Sequence, residues 1–342
     1  MIDFTDCKQY KKSYSGANGN KKCIEYNGER YMLKFPSSPT RNTELSYTNS
    51  CVSEYIGCHI YDFLNIPVQQ TLLGTYRTEK SEKIVIACKD FVEPGTILQD
   101  FGSLKNQIVD SKYNGYGTEL SDILDAIDEQ QVMEPGLIKE RFWDMFVCDA
   151  LLGNFDRHNG NWGFLYNQFT DEISLAPVYD CGSCLYPHAD EETIKKILSN
   201  KRELETRIYN FPTSAVKNNG KKIPYYQYLI NTKNADCLKS VSNIYPLINL
   251  KKISSFINNI ECLTDLQKQF YTTVLNERYE LILKPAYERV TKLQKDLASY
   301  YDGLRLSESL AERQTENIKE IDKKQFIQRI KEKDIEKDSF EI

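Results

Sequence analysis

The 342-residue sequence has no apolar run near the ~20 residues that a membrane-spanning helix requires, and its opening "MIDFTDCKQYKKSYSG" lacks the apolar core of a signal peptide. The expectation is a cytoplasmic protein, with export by a route that needs no signal peptide left open. An excess of positive charge is missing as well. Lys and Arg total 44 against 49 Asp and Glu, a net charge of -5, so a duplex nucleic acid, which needs a basic face, is not the expected partner. Ten cysteines are present, but most sit in apolar stretches such as "ISSFINNIECL", as buried reduced thiols do. The closest pair, Cys181 and Cys184 in "CGSC", has neither a second ligand pair for zinc nor a thioredoxin-like setting, and reads as structural.

What is present suffices for a sizeable core: 40% of residues are hydrophobic, and the length suggests two lobes. "KKCIEYNGERYMLKF" (21–35) reads as a hairpin turning at "NGE", with Tyr31, Leu33 and Phe35 on one face and Met32 and Lys34 on the other. A helix follows, with Val52, Ile56, Ile60 and Phe63 at helical spacing and a stop at Pro67. Two further strands occupy 71–78 and 83–91, and at "VEPG" strands give way to helices. Helical periodicity marks 120–130, 136–152, 190–208, 222–232, 235–245, 251–262 and 264–298. The expected division is an N-lobe over 1–92, a helical C-lobe over 93–300 and a charged helical or partly disordered tail over 301–342.

Candidate chemistry gathers in three places. In "GNFDRHNGNWGF" (153–164), Asp156 is followed five positions on by the amide of Asn161, and "WGFLY" reads as a strand that would hold the loop rigid. A lone histidine in such a loop is more often structural, so His158 is not taken as the base. The second place is "ISLAPVYDCGS", where a strand delivers Asp180. A hairpin closed by "NQFTDE" would bring Asn161 and Asp180 to one edge as hard oxygen ligands suited to Mg²⁺ with bound phosphates. Asp156 would then be free to accept a proton from a hydroxyl. The third is the small-residue loop "YSGANGNKK" (14–22), with Lys34 facing inward and Glu54 alone on an otherwise uncharged helix. A lysine that pairs with a buried acid while reaching phosphate suits a nucleoside triphosphate site.

"GNFDRHNGNWGF" followed by "LAPVYDCGS" resembles the catalytic and metal loops of the HipA-like serine/threonine kinases. "GANGNK", "YMLKFP", "ACKDF" and "FWDMFV" extend the resemblance over roughly residues 10–285. It implies an α+β, bilobal protein-kinase-like fold with a small strand-rich N-lobe, a larger helical C-lobe and ATP in the cleft. Asp156 is then the catalytic base, Asn161 and Asp180 hold Mg²⁺, Lys34 binds phosphate and Glu54 is its helix partner. Gly16, Ala17, Asn18, Gly19, Asn20 and Lys21 would cover the nucleotide, and the backbone of Ala87, Cys88 and Lys89 would read adenine. Autophosphorylation near the glycine loop would fall on Ser13 or Ser15. The short N-terminus counts against the extra subdomain of full-length HipA toxins and so against an antitoxin partner. The protein substrate is not encoded in any motif, although 181–222 reads as the segment facing it. Two other readings stay open: a lipid kinase similar to the type II phosphatidylinositol kinases, which share the order "D-R-x-x-x-N-W", and a nucleotide-binding pseudokinase.

Overall fold

The computed structural model describes residues 1–12, 14, 21–36, 49–79, 81–108 and 115–300. Met1–Glu288 forms one compact unit and Arg289–Ile342 a second, of which residues 289–300 are helical.

Short strands β1 (Ile2–Asp3) and β2 (Gln9–Tyr10) precede the hairpin of β3 (Lys21–Tyr26) and β4 (Glu29–Lys34). Asn27 and Gly28, at φ 51° and 79°, make its two-residue turn in the left-handed region, which Asn-Gly adopts readily. Helix α1 (Ser50–Phe63) leads to β5 (Thr71–Arg77) and β6 (Glu82–Lys89), and the six strands form one sheet in the order β1-β5-β6-β4-β3-β2. Its outer face buries Phe4, Ile24, Tyr31, Leu33, Val85 and Ala87. Strand alternation sends Lys34 to the opposite face, toward α1.

Helix α1 is buried on more than one side, from Cys51 and Glu54 to Gly57, Cys58 and Tyr61, as befits a helix held between two layers. On one side Cys51 Sγ lies 3.6 Å from the Lys34 carbonyl; on the other the Tyr61 hydroxyl donates to Met145 O at 3.2 Å. Gly57 allows a close approach, since a Cβ there would come within 2.8 Å of Cys181 Cβ.

The remainder departs from the expected pattern in instructive ways. Beyond "VEPG" comes another strand, β7 (Thr96–Asp100), ahead of α2 (Phe101–Ile108), α3 (Leu120–Glu129) and α4 (Pro135–Leu152). Strand β7 joins β8 (Gly163–Asn167) and β9 (Glu172–Leu175), which form the antiparallel hairpin expected around "NQFTDE". One helix was expected over 190–208, but two form, α5 (Glu191–Ser199) and α6 (Lys201–Tyr209). The reason is local: the Asn200 side chain accepts from the amides of Arg202 and Glu203 and starts a new helix. Residue 222 belongs not to a helix but to the small hairpin of β10 (Lys217–Asn218) and β11 (Lys221–Lys222). Helices α7 (Tyr225–Asn231), α8 (Ala235–Ile244), α9 (Leu250–Asn258) and α10 (Asp265–Arg278) complete the layer around α4, and a π-helical turn at Tyr279–Leu283 interrupts the long final helix. The glycine loop Gly16–Asn20, Ser13, Ser15 and the tail 301–342 lie outside the described residues.

The contact at Gly57 has a measurable sign. On an open helix face Gly→Ala adds up to about 1 kcal/mol of stability, whereas Gly57→Ala should cost about 1–3 kcal/mol through overpacking against Cys181. Urea denaturation decides between them.

Candidate active site

Helix α4 ends in the left-handed residue Gly153, φ 63°, whose amide donates to Asp149 O. The chain then enters the polar loop, which is wound tightly on itself: His158 N donates to Asp156 O at 2.8 Å, and Asn161 N to His158 O at 2.9 Å. Asn154 Oδ1 accepts from Asp156 N at 3.0 Å, and Tyr225 Oη donates to Asn154 O at 2.6 Å.

Beneath the loop lies a pair of charges with almost no access to water. Asp149 is 1% exposed and Arg157 6%. Arg157 Nε donates to Asp149 Oδ2 at 3.1 Å, while Tyr61 Oη and Asn154 Nδ2 donate to Oδ1 at 2.8 and 3.0 Å. The other guanidinium nitrogens reach outward: Nη1 donates to Asn161 O at 2.8 Å and to Tyr179 O, and Nη2 lies 3.4 Å from Cys181 Sγ. Burial pushes the Asp149 carboxyl up, and the Arg157 charge opposes it. One side chain therefore ties α4 to both the 153–164 loop and the segment carrying Asp180.

Asp180 itself has φ 58°, a left-handed conformation that Asp adopts more readily than most residues with a side chain. Its segment is strapped to the connection between α1 and β5, where Gln69 N donates to Val178 O and Val178 N to Pro67 O, each at 2.8 Å. Lys34 Nζ donates to Glu54 Oε1 at 2.6 Å and to Asp180 Oδ1 at 3.3 Å, joining sheet, helix and loop. Burial works against the Lys34 ammonium, but the charges of Asp180 and Glu54 outweigh it and hold its pKa well above the usual lysine value. In turn the Lys34 ammonium holds Asp180 below the usual carboxylate range, while burial pushes Glu54 up. Lys21 stands directly across from Lys34 in the β3–β4 ladder. Burial, together with the neighbouring Lys34 charge, lowers its pKa.

Asp156 and Asn161 share this neighbourhood. Asn161 Nδ2 donates to Asp156 O at 2.8 Å, leaving the amide oxygen as the group it can offer a cation. The Asp156 and Asp180 side chains are 46% and 48% exposed, so both carboxylates stay reachable from outside. Partial burial pushes the Asp156 carboxyl up; the Asp180 charge adds to this, while His158 and Lys222 oppose it. His158 Nδ1 accepts from Gly160 N at 3.0 Å, and Nε2 lies 4.0 Å from Asp156 Oδ1. Among the described residues no group of three or more His, Cys, Asp or Glu forms a metal cage. One amide oxygen and one carboxylate suit a hard cation that keeps other ligands from water and phosphate.

Ala87 and Cys88 lie inside β6, paired with Leu33 and Met32 of β4 on one side and with Leu72 and Thr71 of β5 on the other. An interior strand spends its backbone groups in two ladders. Lys89 is committed too, its amide to Gln70 O at 2.8 Å and its carbonyl to Gln69 Nε2 at 2.9 Å. The N–H groups of this stretch are spent within the sheet and its flank, so a base held at Ala87, Cys88 or Lys89 would use the second lone pair of a backbone carbonyl. Sequence reasoning missed Asp149, although an acid embedded in "MFVCDALL" was a visible signal.

Comparison with known proteins identifies the family. The HipA-like C-terminal domain family model matches residues 12–234, and the chain belongs to the HipA-like protein kinases, an enzyme family. The serine/threonine-protein kinase CtkA of Helicobacter pylori strain J99 is 51% identical over 294 residues, 85% of this chain and 89% of that protein. A crystal structure of an H. pylori proinflammatory kinase CtkA matches with a TM-score of 0.81 at 51% identity, covering 85% of this chain and 98% of that one. A structure of the Shewanella oneidensis MR-1 toxin–antitoxin system HipA, HipB and its operator DNA matches at TM-score 0.51 and 14% identity, covering 82% and 68%. At that identity it shows the fold alone. The fold is thus α+β and bilobal, of the protein-kinase-like kind.

Removing Asp149 would strand the buried Arg157 guanidinium. Asp149→Ala should cost about 3–5 kcal/mol in chemical denaturation, the usual consequence of breaking a buried ion pair; a loss below about 1 kcal/mol would contradict the role given to this pair.

Proposed function

We propose that this chain transfers the γ-phosphoryl group of Mg-ATP to serine or threonine hydroxyls of proteins, its own included. The observation that carries the reading is Lys34, held between Glu54 and Asp180 in the same site as Asp156 and Asn161. The 51% identity to CtkA supports the choice of a protein hydroxyl as acceptor.

Lys34 and Lys21 place two ammonium groups on one face of the β3–β4 hairpin, where triphosphate oxygens need neutralising charge. Glu54 fixes where the Lys34 ammonium sits. Asn161 and Asp180 would hold Mg²⁺, which when bound neutralises phosphate charge that builds during transfer. Asp156 orients the attacking hydroxyl and accepts its proton, a task for a reachable carboxylate backed by a rigid loop. Arg157 touches neither reactant and positions both loops. Adenine is assigned to the end of β6, at Ala87, Cys88 and Lys89, where the chain leaves the sheet. Lobe limits at 1–92 and 93–300 and modification at Ser13 or Ser15 are retained as parts of the proposal.

Labelled ATP offered with a protein mixture tests the reading. Asp156→Ala should lower transfer at least ~100-fold, and Asp180→Ala should abolish Mg²⁺-dependent transfer, both with unchanged circular dichroism. Wild-type rates in Asp180→Ala with Mg²⁺ as the sole metal would overturn the metal assignment. Transfer to phosphoinositide vesicles but not to proteins would overturn the acceptor.

A further inference from the structure

The β10–β11 hairpin carries a charge arrangement that its own stability does not ask for. Lys217 and Lys222 stand directly across from each other, with Lys221 opposite Asn218. Like charges in a direct cross-strand pair are destabilising. All three lysines are exposed, and among the described residues none lies in a salt bridge. This concentration of unpaired positive charge occurs in a chain of net charge -5.

The hairpin is also rigidly placed. Its tip, Asn219 and Gly220 at φ 52° and 75°, makes a tight turn. Both tip amides donate to the Glu119 carboxylate, Gly220 N at 2.9 Å. Lys217 N donates to Thr118 O at 2.7 Å, and Thr118 Oγ1 to Ala215 O at 2.8 Å. The stretch that clamps the hairpin holds the catalytic loop as well, because Asn159 Nδ2 donates to Gly115 O and Gly117 O, both at 2.9 Å. From the other end, Tyr225, three residues past Lys222, donates to Asn154 O two residues before Asp156. The strands that carry the lysines are thus tied from both ends to the loop of Asp156, and of the three lysines Lys222 stands where its charge opposes the burial that raises that carboxyl.

We propose that Lys217 and Lys222 form a substrate-reading surface beside Asp156, and that the preferred protein acceptors are serines or threonines flanked by acidic residues. The proposal rests on the kinase reading and names the substrate class for the same site. A flanking carboxylate would relieve the Lys217–Lys222 repulsion on docking, a gain realised only in the complex. Exposed charges act mostly on encounter and selection, so the preference should be modest and should fall with added salt.

The test compares synthetic peptides with one acceptor serine and acidic, neutral or basic flanks, using the full chain, Mg²⁺ and labelled ATP. The wild type should favour the acidic over the neutral peptide by about tenfold in kcat/KM, through KM for peptide, with KM for ATP unaffected by the flanks. The double variant Lys217→Glu, Lys222→Glu should lose that preference and gain on the basic peptide, a rescue that a misfolded or merely weakened enzyme would not show. An unchanged order of the three peptides in the variant overturns the proposal. So does an effect of the variant confined to KM for ATP, which would reassign the lysines to the nucleotide. Transfer by the wild type without regard to flanks defeats the proposal while the kinase reading stands; transfer to no peptide or protein at all defeats both.

Discussion

The candidate site depends on one buried ion pair. Taking Asp149 and Arg157 out of water costs several kcal/mol per ion, and the attraction between them alone does not guarantee a net gain. The offset comes from satisfying the whole guanidinium fork and both carboxylate oxygens: Tyr61 and Asn154 complete Asp149, while the carbonyls of Asn161 and Tyr179 complete Arg157. Only arginine presents that many donors in a fixed plane. Because its acceptors lie on two segments that flank the β8–β9 hairpin, satisfying one buried charge also sets the position of Asn161 relative to Asp180.

The N-terminal half meets this assembly through α1. Tyr61 contributes to the Asp149 cluster, Gly57 admits Cys181, and Glu54 meets Lys34 from the sheet. The Cys181–Cys184 pair finds its explanation in packing. Both thiols are buried and unbridged, and Cys181 Sγ lies against Arg157 rather than toward a solvent-facing redox partner. The polar ending of the apolar helix α4, odd as a helix exit, follows from the same scheme: Gly153 stops the helix so that Asn154 and Arg157 can turn back onto Asp149 while Asp156 faces outward.

Much of this was legible wherever local rules decide. Asn27–Gly28 announced its hairpin, alternation sent Lys34 away from Leu33, and the polar "NQFTDE" closed β8 onto β9. Non-local pairing was less readable. Strand β7 hides beyond a Pro-Gly break because its partner β8 lies more than sixty positions on, and the split at Asn200 depends on a cap rather than on periodicity. The neighbours of β6 are non-local in the same way: an apolar strand does not declare that both its edges are paired. Lys222 carries no signal in sequence at all, since only the fold ties the β10–β11 hairpin to the loop that carries Asp156.

The central claim is that Asn161 and Asp180, locked together by Arg157, are the groups that receive the metal. The most direct measurement is an anomalous difference map from crystals grown with Mn²⁺ and a non-hydrolysable ATP analogue. A peak bonded to Asn161 Oδ1 and an Asp180 carboxylate oxygen, with phosphate oxygens beside Lys34, is the predicted result. A metal peak away from both residues, with the Lys34–Asp180 contact intact, would contradict it.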